Sequence, residues 1–77
     1  MKKTINKKVY NTDTAKKLGQ FASGFFGDPA GYEEILYVTK KGAYFLHCIG
    51  GDASKYPAET LIALTDEDAN AWIEAHN

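Results

Sequence analysis

Apolar residues fall on alternate positions through the middle of this chain and at every third or fourth position on either side of it. In "EEILYVTKKGAYFLHCIGGD", residues 33–52, two alternating runs flank Lys40-Lys41-Gly42. This predicts a β-hairpin with a three-residue loop, a type I turn closed by Gly42 in the left-handed region. The register then pairs Val38 with Tyr44, Tyr37 with Phe45, Leu36 with Leu46, Ile35 with His47 and Glu34 with Cys48. Directly opposed residues share a face. One face carries Leu36, Val38, Tyr44, Leu46 and Cys48; the other carries Ile35, Tyr37, Phe45 and His47, with Glu33 opposite Ile49 near its end. Neither face is polar, so both need cover.

The flanking patterns supply the other predicted elements. "TINKKVYN", residues 4–11, reads as a first strand from the broken alternation of Ile5, Val9 and Tyr10. "TDTAKKLGQFASG", residues 12–24, reads as a helix capped by Thr12 or Asp13, with Ala15, Leu18, Phe21 and Ala22 as its apolar stripe. "FFGDPAGY" marks a turn at Asp28-Pro29, with Phe25 or Phe26 expected to pack under the sheet. "TLIALT" is a further strand, and Thr65 caps a last helix. Asp66, Glu67 and Asp68 fall in its first turn, where the helix dipole favours acids, and Ala69, Trp72, Ile73 and His76 lie on one face. The expected order is β-α-β-β-β-α: one α+β domain over residues 1–77, with an antiparallel sheet and two helices packed mainly on the aliphatic face. The partly aromatic face is then left half exposed or paired with another molecule.

Composition narrows the class. A chain of 77 residues buries only about 60% of the surface its unfolded form exposes. Cys48 is the single cysteine, so no internal disulfide adds stability, and oligomerisation is an alternative source. "MKKTINKK" is basic but no apolar run follows it, and no segment is long and apolar enough for a bilayer. The expectation is a cytoplasmic protein without metal or cofactor. All nine basic residues are lysines, there are ten acids, and the net charge is −1. Lys2, Lys3, Lys7, Lys8, Lys16 and Lys17 make the first quarter basic, whereas Asp66, Glu67, Asp68 and Glu74 make the end acidic. That balance speaks against a dedicated nucleic-acid binder, for which a clustered positive excess is expected.

Candidate chemistry is sparse. His47 and Cys48 are neighbours on one strand and point to opposite faces, so they do not form a base and nucleophile, and Cys48 reads as a small buried hydrophobe. The two histidines and one cysteine lack metal-ligand spacing. Gly50-Gly51-Asp52 with Ser54-Lys55-Tyr56 runs into Pro57 and a strand, not the helix N-terminus a phosphate loop needs. Tyr37 beside Phe45 suggests a stacking platform, but Glu33 and Glu34 lie close by and no arginine flanks it. Protein contact fits that face better. Trp72 reads as a core anchor.

Three stretches, "MKKTINKKVYNTDTAKKLG", "YEEILYVTKKGAYFLHCIGGDASKY" and "LIALTDEDANAWIEAH", together resemble a group of short proteins from phages and integrative elements of Firmicutes and related bacteria. The match is closest in the hairpin and in Ser54-Lys55-Tyr56; Asp68 stands where the group has Glu, and the segment between Tyr56 and Leu61 is shorter. Proteins of this size and genetic context resemble anti-CRISPR inhibitors. The resemblance implies a non-enzymatic inhibitor that binds a bacterial CRISPR–Cas effector and blocks nucleic-acid engagement. Its expected partner contacts are Glu33, Tyr37, Phe45 and His47 on the aromatic face, with Asp66, Glu67 and Asp68 as acidic competitors for a basic groove. The alternatives are a small nucleic-acid-binding accessory protein of a mobile element, using the lysines of the first quarter, and a structural homodimer.

Overall fold

The computed structural model describes residues 2–5, 7–24 and 28–76. They form six strands and one helix: β1 (Lys2–Ile5), β2 (Lys8–Asn11), β3 (Lys16–Ser23), β4 (Tyr32–Val38), β5 (Tyr44–Gly50), β6 (Thr60–Leu64) and α1 (Asp66–Ala75). β1 and β2 make a two-stranded antiparallel sheet, and β3-β4-β5-β6 an antiparallel meander. The α+β arrangement with two helices is therefore corrected: the chain is mostly antiparallel β with one short C-terminal helix. Phe25 and Phe26, expected under the sheet, lie outside the described residues.

The central hairpin has the expected register, from Val38 opposite Tyr44 to Glu33 opposite Ile49. Its loop is closed by Gly42 at φ 85°, with Thr39 N–H donating to the Ala43 carbonyl at 2.8 Å and Gly42 N–H to the Thr39 carbonyl at 2.9 Å. Glycine alone among the loop residues takes this left-handed conformation without steric cost. The last strand and helix also stand where the pattern puts them. Thr65 Oγ1 accepts from Asp68 N–H at 3.1 Å, satisfying one of the donors that a helix start leaves unpaired.

Residues 12–24 depart from the expected helix because of a bulge. β3 pairs with β4 along its length, but the register shifts between Lys17 and Gly19. Leu18 is the extra residue and is 41% exposed. Beyond it the alternation is clean: Gly19, Phe21 and Ser23 turn inward while Gln20 and Ala22 face out. One inserted residue converts a period of two into a spacing that mimics a helical stripe. Pairing also satisfies the second edge of β4, which a helix could not do. Gly19 has its own reason to lack a side chain: a Cβ there would stand 3.1 Å from the Trp72 ring.

The expected single strand over residues 4–11 is instead the β1–β2 hairpin, reversed at Lys7 with φ 67°. This hairpin covers the aromatic face of the meander. Tyr10, Phe45 and Leu61 are buried together, with Ile5, Ala15, Tyr37, Ala43 and Ala63 packed around them. Tyr10 meets Phe45 edge-on at 5.3 Å, and Tyr37 stacks on Phe45 at the same spacing. α1 covers the opposite face, where Ala69 and Trp72 pack with Leu36, Leu46 and Cys48. The molecule is thus layered hairpin, sheet, helix, with a core on each side of the sheet. Among the described residues no helix is long and apolar enough to cross a membrane.

Candidate functional site

Covering the aromatic face dismantles the surface expected there. Phe45 is fully buried and has no area to offer a partner. Tyr37 is partly buried and spends its ring on Phe45. His47 pairs with Glu59 at 2.6 Å, and Glu33 is half-buried and accepts from the side-chain amide of Gln20. Asp66, Glu67 and Asp68 are exposed at the start of α1. Of the four contacts expected on the aromatic face, only Tyr37 and Phe45 pack together, and they belong to the core; the three expected acids stand together at the helix start. His47 and Cys48 do diverge, His47 toward Glu59 and Cys48 into the core beneath α1.

The helix-side core holds a polar network that the sequence reading missed. Glu34 is 4% exposed. It accepts from the Trp72 indole N–H at 3.0 Å and from the Tyr56 hydroxyl, and the Lys55 ammonium lies 3.7 Å from it. Lys55 also sits over the Tyr32 and Tyr56 rings, at 5.1 and 5.3 Å from their centroids. Ser54 sets this up, donating to the Gly51 carbonyl at 2.7 Å and accepting from Tyr56 N–H at 3.1 Å. Ser54-Lys55-Tyr56 is therefore a device for closing the loop between β5 and β6 onto Glu34.

The proton affinities follow from this packing. Burial alone raises the Glu34 pKa, but the Tyr56 and Trp72 hydrogen bonds and the Lys55 charge outweigh it and hold the carboxyl below its ordinary value. Burial, then the hydrogen bond to Glu34, drives the Tyr56 phenol far above its usual range. Burial pushes the Cys48 thiol up. An ionised acceptor flanked by a phenol and a thiol that both keep their protons is a structural tie. It offers no thiolate or phenolate for attack at neutral pH.

A second feature is open to solvent. The β1–β2 hairpin and the β4–β5 loop flank a groove of about 600 Å³ lined by Lys2, Lys7, Lys8, Lys40 and Lys41. Lys7 is at the hairpin reversal, Lys8 begins β2, and Lys2 lies opposite Asn11. Lys40 and Lys41 form the exposed tip of the tight loop that Gly42 closes. No carboxylate lines the groove among the described residues. The pairing of Lys2, Lys7 and Lys8 with Lys40 and Lys41 was not expected; its one signal in the sequence was two lysines in a turn, where side chains must point outward. Lys16 and Lys17, on β3, stay outside the groove, and Lys3 reaches Thr60 at 3.4 Å. At the other end of the sheet a shallow cleft carries Asp28, Glu33 and Asp52.

Compared with known proteins, the chain matches no family model, no curated protein and no solved structure.

Proposed function

We propose that this chain is a non-catalytic binding domain that holds a nucleic-acid backbone in its lysine-lined groove. The observation that carries this reading is the convergence of five ammonium groups from two parts of the chain on one concave surface, without a lining acid among the described residues. The net charge of −1 does not oppose it. Fields between exposed charges are screened beyond roughly 8–10 Å at physiological salt, so the local excess governs a phosphate in the groove. Such contacts give dissociation constants on the order of 10⁻⁴–10⁻⁶ M at physiological salt. Titration of a labelled oligonucleotide, followed by fluorescence anisotropy at several salt concentrations, tests it. Affinity that weakens steeply with salt supports the reading; no saturable binding even at low salt removes it.

A second reading has one observation in its favour. Asp66, Glu67 and Asp68 are exposed and, among the described residues, have no ion-pair partner. Together with the resemblance to mobile-element proteins, this supports an inhibitor that presents carboxylates to the basic nucleic-acid channel of a bacterial CRISPR–Cas effector. Here the acidic helix start acts, not the aromatic face. Capture of the effector from host lysate, lost on changing the three acids to lysine but kept when Lys40 and Lys41 are replaced, would favour it over the first.

A further inference from the structure

We infer that the groove takes double-stranded nucleic acid and grips it through phosphates alone, without reading bases; this rests on the nucleic-acid reading above. What decides this is which lining groups remain available to a ligand. Single-strand binders gain about 1–3 kcal/mol per base by stacking on exposed rings. The one ring in this lining among the described residues is Tyr10, which is 5% exposed and set edge-on against Phe45. No π-face is offered.

Base reading is poorly served by what is left. Guanine is read by arginine or lysine at O6 and N7, and adenine by an amide that uses its oxygen and nitrogen together. The chain has no arginine, and a lysine ammonium, a mobile point charge on a flexible stem, lacks the fixed fork that holds register on one base. The one lining amide among the described residues, Asn11, already accepts from Asp13 N–H at 3.0 Å through Oδ1. Thr39 Oγ1 is taken by Ala43 N–H at 3.1 Å, and the Thr14 hydroxyl donates to the Asn11 carbonyl at 3.4 Å. Each of these three side chains already has a backbone partner, and the ammoniums are the charged groups left to meet a ligand.

Ammoniums alone favour the polyanion of higher charge density. A duplex presents one charge per roughly 1.7 Å of axis against roughly 3.4 Å for one strand. Five phosphate contacts give a slope of log K on log salt of about −4.5 for duplex and about −3.5 for single strand. Raising salt fourfold then weakens duplex binding about 500-fold and single-strand binding about 130-fold.

The test uses the full chain and anisotropy with four labelled probes: a 20-mer DNA duplex, its shuffled sequence, one strand alone, and the matching RNA duplex. The expected result is tighter binding of duplex than of single strand, shuffled DNA within about twofold, and a slope near −4.5. The RNA arm shows which duplex is preferred, and binding of either supports the inference. Lys40→Ala with Lys41→Ala, on an exposed turn and verified as folded by circular dichroism, should reduce the slope by about 2. Single strand bound as tightly as duplex, or a tenfold change on shuffling, overturns this inference and leaves the nucleic-acid reading standing. Failure to bind any probe takes that reading away as well.

Discussion

Replacing Glu34 by glutamine keeps the shape of the side chain and removes its charge. Two donors point at the carboxylate, the Trp72 indole and the Tyr56 hydroxyl. Hydrogen bonds to a charged group contribute about 1.5–3 kcal/mol and neutral ones about 0.5–1.5, so two such bonds lose about 2 kcal/mol together. Glutamine recovers part of this because a neutral amide costs less to bury. The direction is decided by the carboxyl itself, which is held below its ordinary value despite burial: attraction exceeds desolvation. A net loss of about 1 kcal/mol is expected, which lowers Tm by about 4–8 °C in a domain of this size. Thermal melts followed by circular dichroism at pH 7 measure it. The effect depends on pH. A depressed folded-state pKa contributes stability above the unfolded value, near 4.5, and loses it as pH falls through the folded value. The gap between native protein and Glu34→Gln should therefore be full at neutral pH and close in acid. A variant as stable as the native protein at pH 7, or a gap unchanged from pH 7 to acid, would refute the argument.

Three further outcomes follow from the packing. Phe45→Ala removes the ring that joins Tyr10, Tyr37 and Leu61; it should cost about 3–5 kcal/mol in a urea melt, a large part of the stability of a chain this short, and a folded variant with an intact midpoint would show the aromatic face is not core. Gly42→Val, in open space but at φ 85°, should cost about 1–2 kcal/mol through backbone strain alone, with no cavity or clash to add to it. Cys48, buried and pushed toward its thiol form, should resist a thiol reagent at pH 7 until denaturant is added; rapid labelling of the folded protein would contradict the core placement.

What the sequence made legible was local. The hairpin register came from strict alternation around a turn whose glycine has one use, and the cap at Thr65 from a side chain three residues before the donor it satisfies. What it hid depended on one residue out of step or on distant parts meeting. Leu18, bulged out of β3, disguised a strand as a helix. Lys7 reverses the chain at positive φ although it is not glycine, so the β1–β2 hairpin had no turn signature at that position. Missing that hairpin left Tyr37 and Phe45 looking exposed. The lysines of the first quarter were visible as charge, but their convergence with Lys40 and Lys41 exists only in the tertiary arrangement. Glu34 was read only as the residue opposite Cys48 and an acid near the aromatic pair, because only the folded loop and helix bring Tyr56 and Trp72 to it.

In the proposed reading, position in the groove, and not lysine content, makes the binding surface. Two variants carry the same loss of charge. Lys40→Ala with Lys41→Ala removes two of the five groove lysines, whereas Lys16→Ala with Lys17→Ala removes two exposed lysines of β3 outside it. Binding to a labelled DNA duplex is measured for both against the native chain over a fourfold range of salt. The groove variant should weaken at every salt concentration and lose about 2 from the salt slope, while the β3 variant keeps the native slope. Equal weakening by the two variants, or a groove variant that binds like the native chain, would contradict it.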